Sequence, residues 1–442
     1  MLNTLRNTTI IATLALGSAV LAQDGPYAPY AGTTLVVNFP SHPHYNAAME
    51  VLPQFTAQTG IEVEVDMLPY LDMRERQTLE LTLSEGAYDL ISYVVFSKAD
   101  YVYADQLENL AKYFMNPRLA DPTYDAGDLI DGYVQNIGVA GGEKGYLPGP
   151  TGSLFGLPFG SETSVLFYRK DVFEKHGLTA PETYDELLDL ACRIPELEPG
   201  MGGVASRAAS GHQASHALLL HLAPLGGRVF DDAWQPRLND AQGVAAAEAL
   251  KRIVDCGPEG SSAFGPNEAA NAFAQGQAAM FIDSIAFAPT FEDESRSTVA
   301  GNVGYAMHPM GVQRASQTGG FGLGIPANAQ HKEAAFLLMQ WLTSKEGDLA
   351  VALAGGNPSR FSTYENEELN AQYPWSSTFG EALQYADPDW RPIIPAWGRI
   401  NADIGTTMSQ VLTQNLDIQE ALDGIAERTR ALMEEQGYYI WQ

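Results

Sequence analysis

His42 and His44 stand two apart in the run Ser41-His42-Pro43-His44-Tyr45, a spacing that could begin a metal site. No further His, Cys and Asp group stands at ligand spacing to complete it, so hydroxyl recognition or a surface loop is the better reading and no metal is assigned. His212, His216 and His221 form the other suggestive set. The first two lie at i, i+4 and share a helix face, where a structural histidine is commoner than a ligand. A serine or cysteine nucleophile would need an activating context. No G-x-S-x-G elbow is present, and Cys192 and Cys256 each follow a predicted helix. Carboxylate pairs suited to glycoside hydrolysis carry little information, because 54 acidic residues always offer pairs.

A different set gathers at strand ends and loops: Glu162, Asp283, Phe321, Arg360, Trp397 and Arg399. His42, Tyr70 and Phe96 stand in the loops that follow the first three predicted strands. Sugars and polyols are neutral and covered with hydroxyls. They are held by planar bidentate side chains and by aromatic faces that pack on C–H edges. Each residue also has an ordinary reading: Trp397 as core, Arg360 as one half of a structural ion pair.

The elements that must position these residues alternate. A strand over 34–39, a helix over 46–59 stopped by Gly60, a strand over 61–65, a helix over 72–85 and a buried strand over 88–95 make a βαβαβ half with parallel strands. Ligands of open α/β sheets bind at the carboxyl ends of the strands, where the three loops lie. No G-x-G-x-x-G follows the first strand and no G-x-x-x-x-G-K-[ST] occurs, so no dinucleotide or triphosphate site is assigned. Residues 140–156 read as a long Gly- and Pro-rich loop. A strand over 163–168 follows, then a short helix ending at Gly177. Thr183 with Glu186 forms a capping box that starts an apolar helix. Helices are expected over 218–224, 244–254, 267–274 and 332–342, a turn-rich hairpin over 226–234, and a strand over 278–282 carrying Asp283 at its end.

The balance of 25 basic against 54 acidic residues gives a formal charge of −29, which argues against nucleic acid and anionic membrane surfaces as partners. With 442 residues, 45% of them apolar, the chain can fill two cores. Arg6, the apolar run 10–16 and Val20-Leu21-Ala22 read as a cleavable secretory signal over 1–22. No cysteine follows the cleavage point, so a periplasmic chain without a lipid anchor is expected. In that oxidising setting a Cys192–Cys256 disulfide and two free buried thiols are both open.

The stretch Gly156–Ala191 resembles the passage between lobes in the maltose-binding-protein family, the family 1 solute receptors of ABC importers. Similar matches are Phe273-Ala274-Gln275-Gly276-Gln277-Ala278-Ala279-Met280, the run from Gly319 to Pro326, the helix through Trp341-Leu342-Thr343-Ser344-Lys345-Glu346, and Gly356-Asn357-Pro358-Ser359-Arg360. Within that family the chain looks most like sorbitol- and mannitol-type sugar-alcohol receptors, on Pro158-Phe159-Gly160-Ser161-Glu162, Phe230-Asp231-Asp232-Ala233-Trp234-Gln235-Pro236 and Gly257-Pro258 to Ile282-Asp283. The resemblance implies an α/β, two-lobed periplasmic binding protein fold of type II with three inter-lobe crossings. Residues 23–158 and 312–357 would form one lobe, and 159–311 and 358–442 the other. It implies ligand in the cleft, a monomer, a membrane permease with its ATPase as partner, and no cofactor. Glu162, Asp283, the Gly320–Phe321 turn, Arg360 and Trp397 would then face the cleft. One departure stands out: maltose-type receptors carry a Trp after the strand that ends here at Asp283, where this chain has Ser284-Ile285-Ala286. Losing that platform argues against long maltodextrins and for a small ligand, unless Phe287 substitutes for it.

The expected function is therefore capture of a sugar alcohol or monosaccharide for import, without catalysis. The alternatives are a secreted carbohydrate-active hydrolase or lyase, and a receptor of the same fold for a charged solute or peptide, or one that docks on a chemosensor. An anionic ligand would require Arg360 and Arg399 to converge unpaired in the cleft.

Overall fold

The computed structural model describes residues 25–141 and 152–439. The secretory-signal reading of 1–22 and most of the 140–156 loop lie outside the described residues.

Strand β1 (Thr34–Pro40) leads into helix α1 (Pro43–Thr59), whose start is fixed locally. The His42 ring accepts from the His44 N–H and Pro43 occupies the first turn, where a missing N–H costs nothing. Gly60 closes the helix in the left-handed conformation. Strand β2 (Glu62–Leu68), helix α2 (Tyr70–Glu80) and strand β3 (Leu90–Val94) complete the half predicted from pattern. β1 pairs in parallel with both neighbours. The chain then returns as β4 (Leu157–Glu162), and β5 (Ser164–Arg169) follows after one residue, Thr163, in a different sheet.

Helix α3 (Tyr184–Leu197) begins at the Thr183–Glu186 capping box. It is followed by β6 (Gly202–Ala205), α4 (His212–Leu222), α5 (Ala241–Asp255), β7 (Ala278–Ser284), β8 (Val303–Met307), β9 (Gly319–Gly324), α6 (Lys332–Leu342), α7 (Trp397–Gln414) and α8 (Ile418–Glu435). One sheet has the order β2-β1-β3-β9-β4, with β9 antiparallel to both neighbours. The other has the order β8-β5-β7-β6. Each sheet is covered by helices, so the molecule is two α/β lobes. β6, β8 and the length of the two C-terminal helices escaped the sequence reading. β6 is a four-residue Gly-Gly-Val-Ala strand with no alternation to detect.

The chain passes between lobes at Thr163, between β8 and β9, and near Pro358. β4 stays hydrogen-bonded to β9 as far as Glu162. The first crossing therefore falls four residues beyond the boundary expected at 158. Gly320 has φ of 97°, and a Cβ there would lie 2.0 Å from the Gly160 carbonyl, so only glycine fits between β4 and β9. The crossings are tied to one another: Ser161 Oγ to Ser359 Oγ at 2.8 Å, and Thr163 Oγ1 to Ser316 Oγ at 2.6 Å.

Cys192, in the third turn of α3, is bonded to Cys256, the residue capping α5. Closing a loop of 64 residues restricts the unfolded chain. Replacing both cysteines by serine is expected to cost about 2–4 kcal/mol in urea unfolding. A loss under about 0.5 kcal/mol would mean the bond is energetically idle.

Candidate functional site

The carboxyl ends of the first-lobe strands and the start of the second-lobe helices meet across the cleft. From the first lobe, Tyr70 opens α2, Arg74 lies one turn on, and Phe96 sits in the turn after β3. From the second lobe, Arg207 follows β6, His212 and His216 occupy the first turns of α4, and Asp283 ends β7. Trp390 and Arg391 precede α7, which contributes Asn401. The approach of α7 to α4 is set by Gly405. A Cβ there would lie 1.7 Å from the Gly211 carbonyl, so the helix comes close enough for Asn401, one turn earlier, to bond His212 at 3.1 Å.

Asp283 is fully buried and anchors the site. Arg207 donates to it in a two-pronged fork, Nε to Oδ2 and Nη2 to Oδ1, both at 2.6 Å, and the Ser284 N–H donates to Oδ1 at 2.7 Å. Burial opposes ionisation, but the Arg207 charge and His216 overcome it and hold this carboxyl well below its usual range. Arg391 Nη2 donates to His216 Nδ1 at 2.8 Å. A guanidinium can only donate, so the neutral His216 ring carries its proton on Nε2, which faces Asp283 at 3.6 Å. That distance is an electrostatic contact and not a hydrogen bond. Burial and then Arg207 push the His216 pKa down to about 3. Burial and then Arg391 push His212 to about 2. Both are neutral at pH 7.

The Arg391 guanidinium lies over the Trp390 ring at 3.9 Å, and Trp390 is held by its Nε1–H donating to the Leu219 carbonyl at 2.9 Å. Phe96 stands across the cleft with Arg391 at 5.7 Å, Arg74 at 5.2 Å and the His212 ring at 6.1 Å. Four buried polar atoms of this group have no hydrogen-bond partner in the protein: the Tyr70 hydroxyl, His216 Nε2, Arg391 Nε and Asn401 Oδ1. Buried polar atoms are normally paired. Four such atoms gather in this one cluster between Phe96 and Trp390, which makes it the candidate site.

A second polar chain joins this cluster to the crossings. His42 Nε2 lies 3.2 Å from Glu162 Oε1, and Ser284 Oγ donates to Glu162 Oε2 at 2.6 Å. Burial opposes the Glu162 charge, but the hydrogen bond and charge of His42 hold its pKa below the ordinary value. Phe321 packs behind His42 at 5.1 Å and edge-on to Tyr45.

Of the nine residues named from sequence, Tyr70, Phe96 and Asp283 come together at the cluster. His42, Glu162 and Phe321 lie at the neighbouring brace. The other three do not face the cleft. Arg360 is fully buried with its donors spent on the carbonyls of Thr343, Asp125 and Tyr124 and on Asp128. Trp397 is core, packed among the apolar residues of the C-terminal helices. Arg399 is exposed and reaches only Glu435 at 3.9 Å. Phe287 packs on Phe281 and Phe291 and offers no platform. Arg74, Arg207, Trp390, Arg391 and Asn401 were missed. Arg207 follows a strand that pattern could not find, and Trp390-Arg391 stands in a loop with no local signature. Among the described residues no His, Cys, Asp and Glu group is arranged to hold a metal ion. A crevice under the third crossing, lined by Ile285, Gly356, Pro358, Tyr364, Trp375 and Phe379, is apolar and shares no residue with the cluster.

Two other histidines are buried away from the cleft. Tyr184 OH bridges His221 Nδ1 at 2.8 Å and His308 Nε2 at 3.0 Å, and His308 Nδ1 meets Ser164 Oγ at 2.9 Å. Burial pushes His221 to about 4, and burial with His221 pushes His308 to about 3. Both folded values lie below the ordinary 6.5. The unfolded chain therefore binds protons that the fold refuses, and stability present above pH 6.5 is lost as pH falls toward 4. Going from pH 7.5 to pH 5 should cost the parent protein about 2 kcal/mol more than a His308→Asn variant in urea unfolding. Equal losses would show that His308 is not held neutral.

Residues 40–348 match the family of bacterial extracellular solute-binding proteins. The mannitol-binding protein of Pseudomonas aeruginosa is 29% identical over 393 residues, covering 83% of this chain and 85% of that one. A solute-binding protein of Agrobacterium radiobacter K84, solved with ribitol, superposes with a TM-score of 0.79 at 24% identity, covering 91% of this chain and 99% of the other. One from Agrobacterium vitis S4, solved with D-mannitol, gives 0.75 at 24% identity over 92% and 99% of the two chains. These likenesses agree with the two-lobed fold.

Proposed function

The chain belongs to the bacterial extracellular solute-binding protein family, and on that premise we propose that it captures a sugar alcohol, or a sugar of similar size, between its lobes and delivers it to an ABC importer. The observation that carries this reading is the set of four unpaired buried polar atoms, on Tyr70, His216, Arg391 and Asn401, between the rings of Phe96 and Trp390. Hydroxyls both donate and accept, so a polyol can satisfy donors such as Arg391 Nε and acceptors such as Asn401 Oδ1 together. The mannitol-binding relative supports the same ligand class.

Ligand bound to both walls favours the closed arrangement only by the extent to which it binds that arrangement better. Phe96 and Tyr70 on one side, with Arg391 and His212 on the other, supply that difference. The permease and its ATPase would read the closed form, with the protein acting as a monomer in the periplasm after removal of residues 1–22. The lobes are residues 25–162 with the return through β9, α6 and the segment up to the third crossing, and the remainder.

No catalysis is proposed. Glu162 and Asp283 are both held ionised and both engaged, so neither is a protonated acid poised to donate.

A thermal-shift screen with alditols, pentoses, hexoses and disaccharides tests the reading. A true ligand at about 100 times its Kd adds roughly 2.7 kcal/mol of stability, seen as a melting temperature raised by a few degrees. A screen in which no polyol or sugar raises it would sink the proposal. Release of products from oligosaccharides would favour the hydrolase or lyase instead.

A further inference from the structure

Resting on the polyol reading, we propose that the preferred ligand is a polyol chain ending in a carboxylate, an aldonate, with the neutral alditol the weaker ligand of the same site. The guanidiniums of Arg74, Arg207 and Arg391 border the cluster, and among the described residues only that of Arg207 has a carboxylate partner. Arg207 is matched by the fork on Asp283, and both oxygens of that carboxylate are already occupied. Arg391 is 5% exposed and, among the described residues, makes one side-chain hydrogen bond, to His216, and has no carboxylate within ion-pair distance. Arg74 makes no ion pair among the described residues, and its guanidinium lies beside the Tyr70 hydroxyl. Its contacts are the rings of Tyr70 and Phe96. Asp100 lies within electrostatic reach of Arg74, is exposed, and forms no ion pair with it.

Arg360 in the same molecule shows what a buried arginine needs when its role is structural: three carbonyls and a carboxylate around the guanidinium. Arg391 is equally enclosed and lacks that set. The two neighbouring histidines do not balance it, since both are neutral at pH 7.

The free hydrogen-bonding capacity is also lopsided. Arg391 Nε, His216 Nε2 and the Arg74 guanidinium can only donate, whereas Asn401 Oδ1 accepts and Tyr70 OH does either. A carboxylate is acceptor-only and matches a guanidinium fork with two parallel bonds. The donor-rich end between Arg74 and Arg391 therefore suits a carboxylate. Asn401 Oδ1 and the Tyr70 hydroxyl suit the hydroxyls of the chain. The anion requirement anticipated from sequence is met by Arg74 and Arg391, and not by Arg360 and Arg399.

Calorimetry on the intact protein at pH 7.5 tests this with matched pairs: gluconate against sorbitol, mannonate against mannitol, ribonate against ribitol. In at least one pair the aldonate is expected to bind about tenfold tighter or more, roughly 1.4 kcal/mol. Its affinity should fall between about 20 and about 300 mM NaCl while that of the alditol stays level. The preference should collapse toward unity in Arg391→Gln. Equal or tighter binding of the alditol in every pair overturns the inference and leaves the polyol reading standing. Failure of both members of every pair to bind overturns both.

Discussion

Replacing Arg391 by glutamine is expected to weaken binding of the solute found by screening at least 100-fold, about 3 kcal/mol, without lowering the stability of the free protein. Arg391 is enclosed between Trp390, Phe96 and His216, and its Nε–H has no partner in the protein. A buried charge that is not fully hydrogen-bonded is a cost to the fold, and burial with the nearby Arg207 charge lowers its pKa to about 9. Glutamine keeps part of the stem that packs on Trp390 and removes the charge, so the unfolding midpoint should hold or rise. The ligand loses the group that completes its hydrogen bonding. Calorimetry and urea unfolding on the same preparation read the two effects separately. Unchanged affinity would show that the cluster between Phe96 and Trp390 is not the binding site. A large fall in stability would show that Arg391 is structural.

Arg360→Met is expected to give the opposite pattern: a loss of about 3–5 kcal/mol in unfolding free energy, with ligand affinity unchanged in the protein that remains folded. The guanidinium donates to Thr343 O at 2.7 Å, to Asp125 O and Tyr124 O at 2.9 Å, and to Asp128 Oδ2 at 3.1 Å, and it lies over the Tyr124 ring. These groups belong to two separate segments of the chain, 124–128 and the end of α6 at Thr343, which Arg360 clips together beside the third crossing. Methionine fills much of the volume but leaves three carbonyls and a carboxylate without their donor. Asp128 keeps bonds from the Ser362 N–H and hydroxyl, which limits the loss. A change under about 1 kcal/mol would mean water or the neighbouring side chains replace the arginine. A large fall in affinity at intact stability would return Arg360 to the ligand.

The two arginines show how far sequence reasoning reached. Both stand in loops before a helix, and both are flanked by aromatic or small residues. Nothing local separates a guanidinium ringed by carbonyls from one left facing a cleft. Asp283 was legible as a carboxylate near the end of a strand, and Tyr70 and Phe96 as residues in loops that follow parallel strands, and the structure brings the three into one cluster. Trp397 was chosen over Trp390 for want of any means to tell which indole lies inside a helical bundle. The histidines at 212 and 216 were weighed as structural, and at 221 that holds. At 216 the ring is the link between Arg391 and Asp283.

By itself the sequence determined the two α/β halves, the capped start of α3, the stop of α1 at Gly60, the glycine turns, and the strands that carry Asp283 and precede Tyr70 and Phe96. Those features follow from periodicity and backbone chemistry that act over a few residues. Only the tertiary structure decided which arginine is neutralised, where the first crossing falls, and which polar atoms are left without partners. Those depend on distances between segments more than a hundred residues apart, such as Arg391 to His216 and Asp283, and no local pattern encodes them.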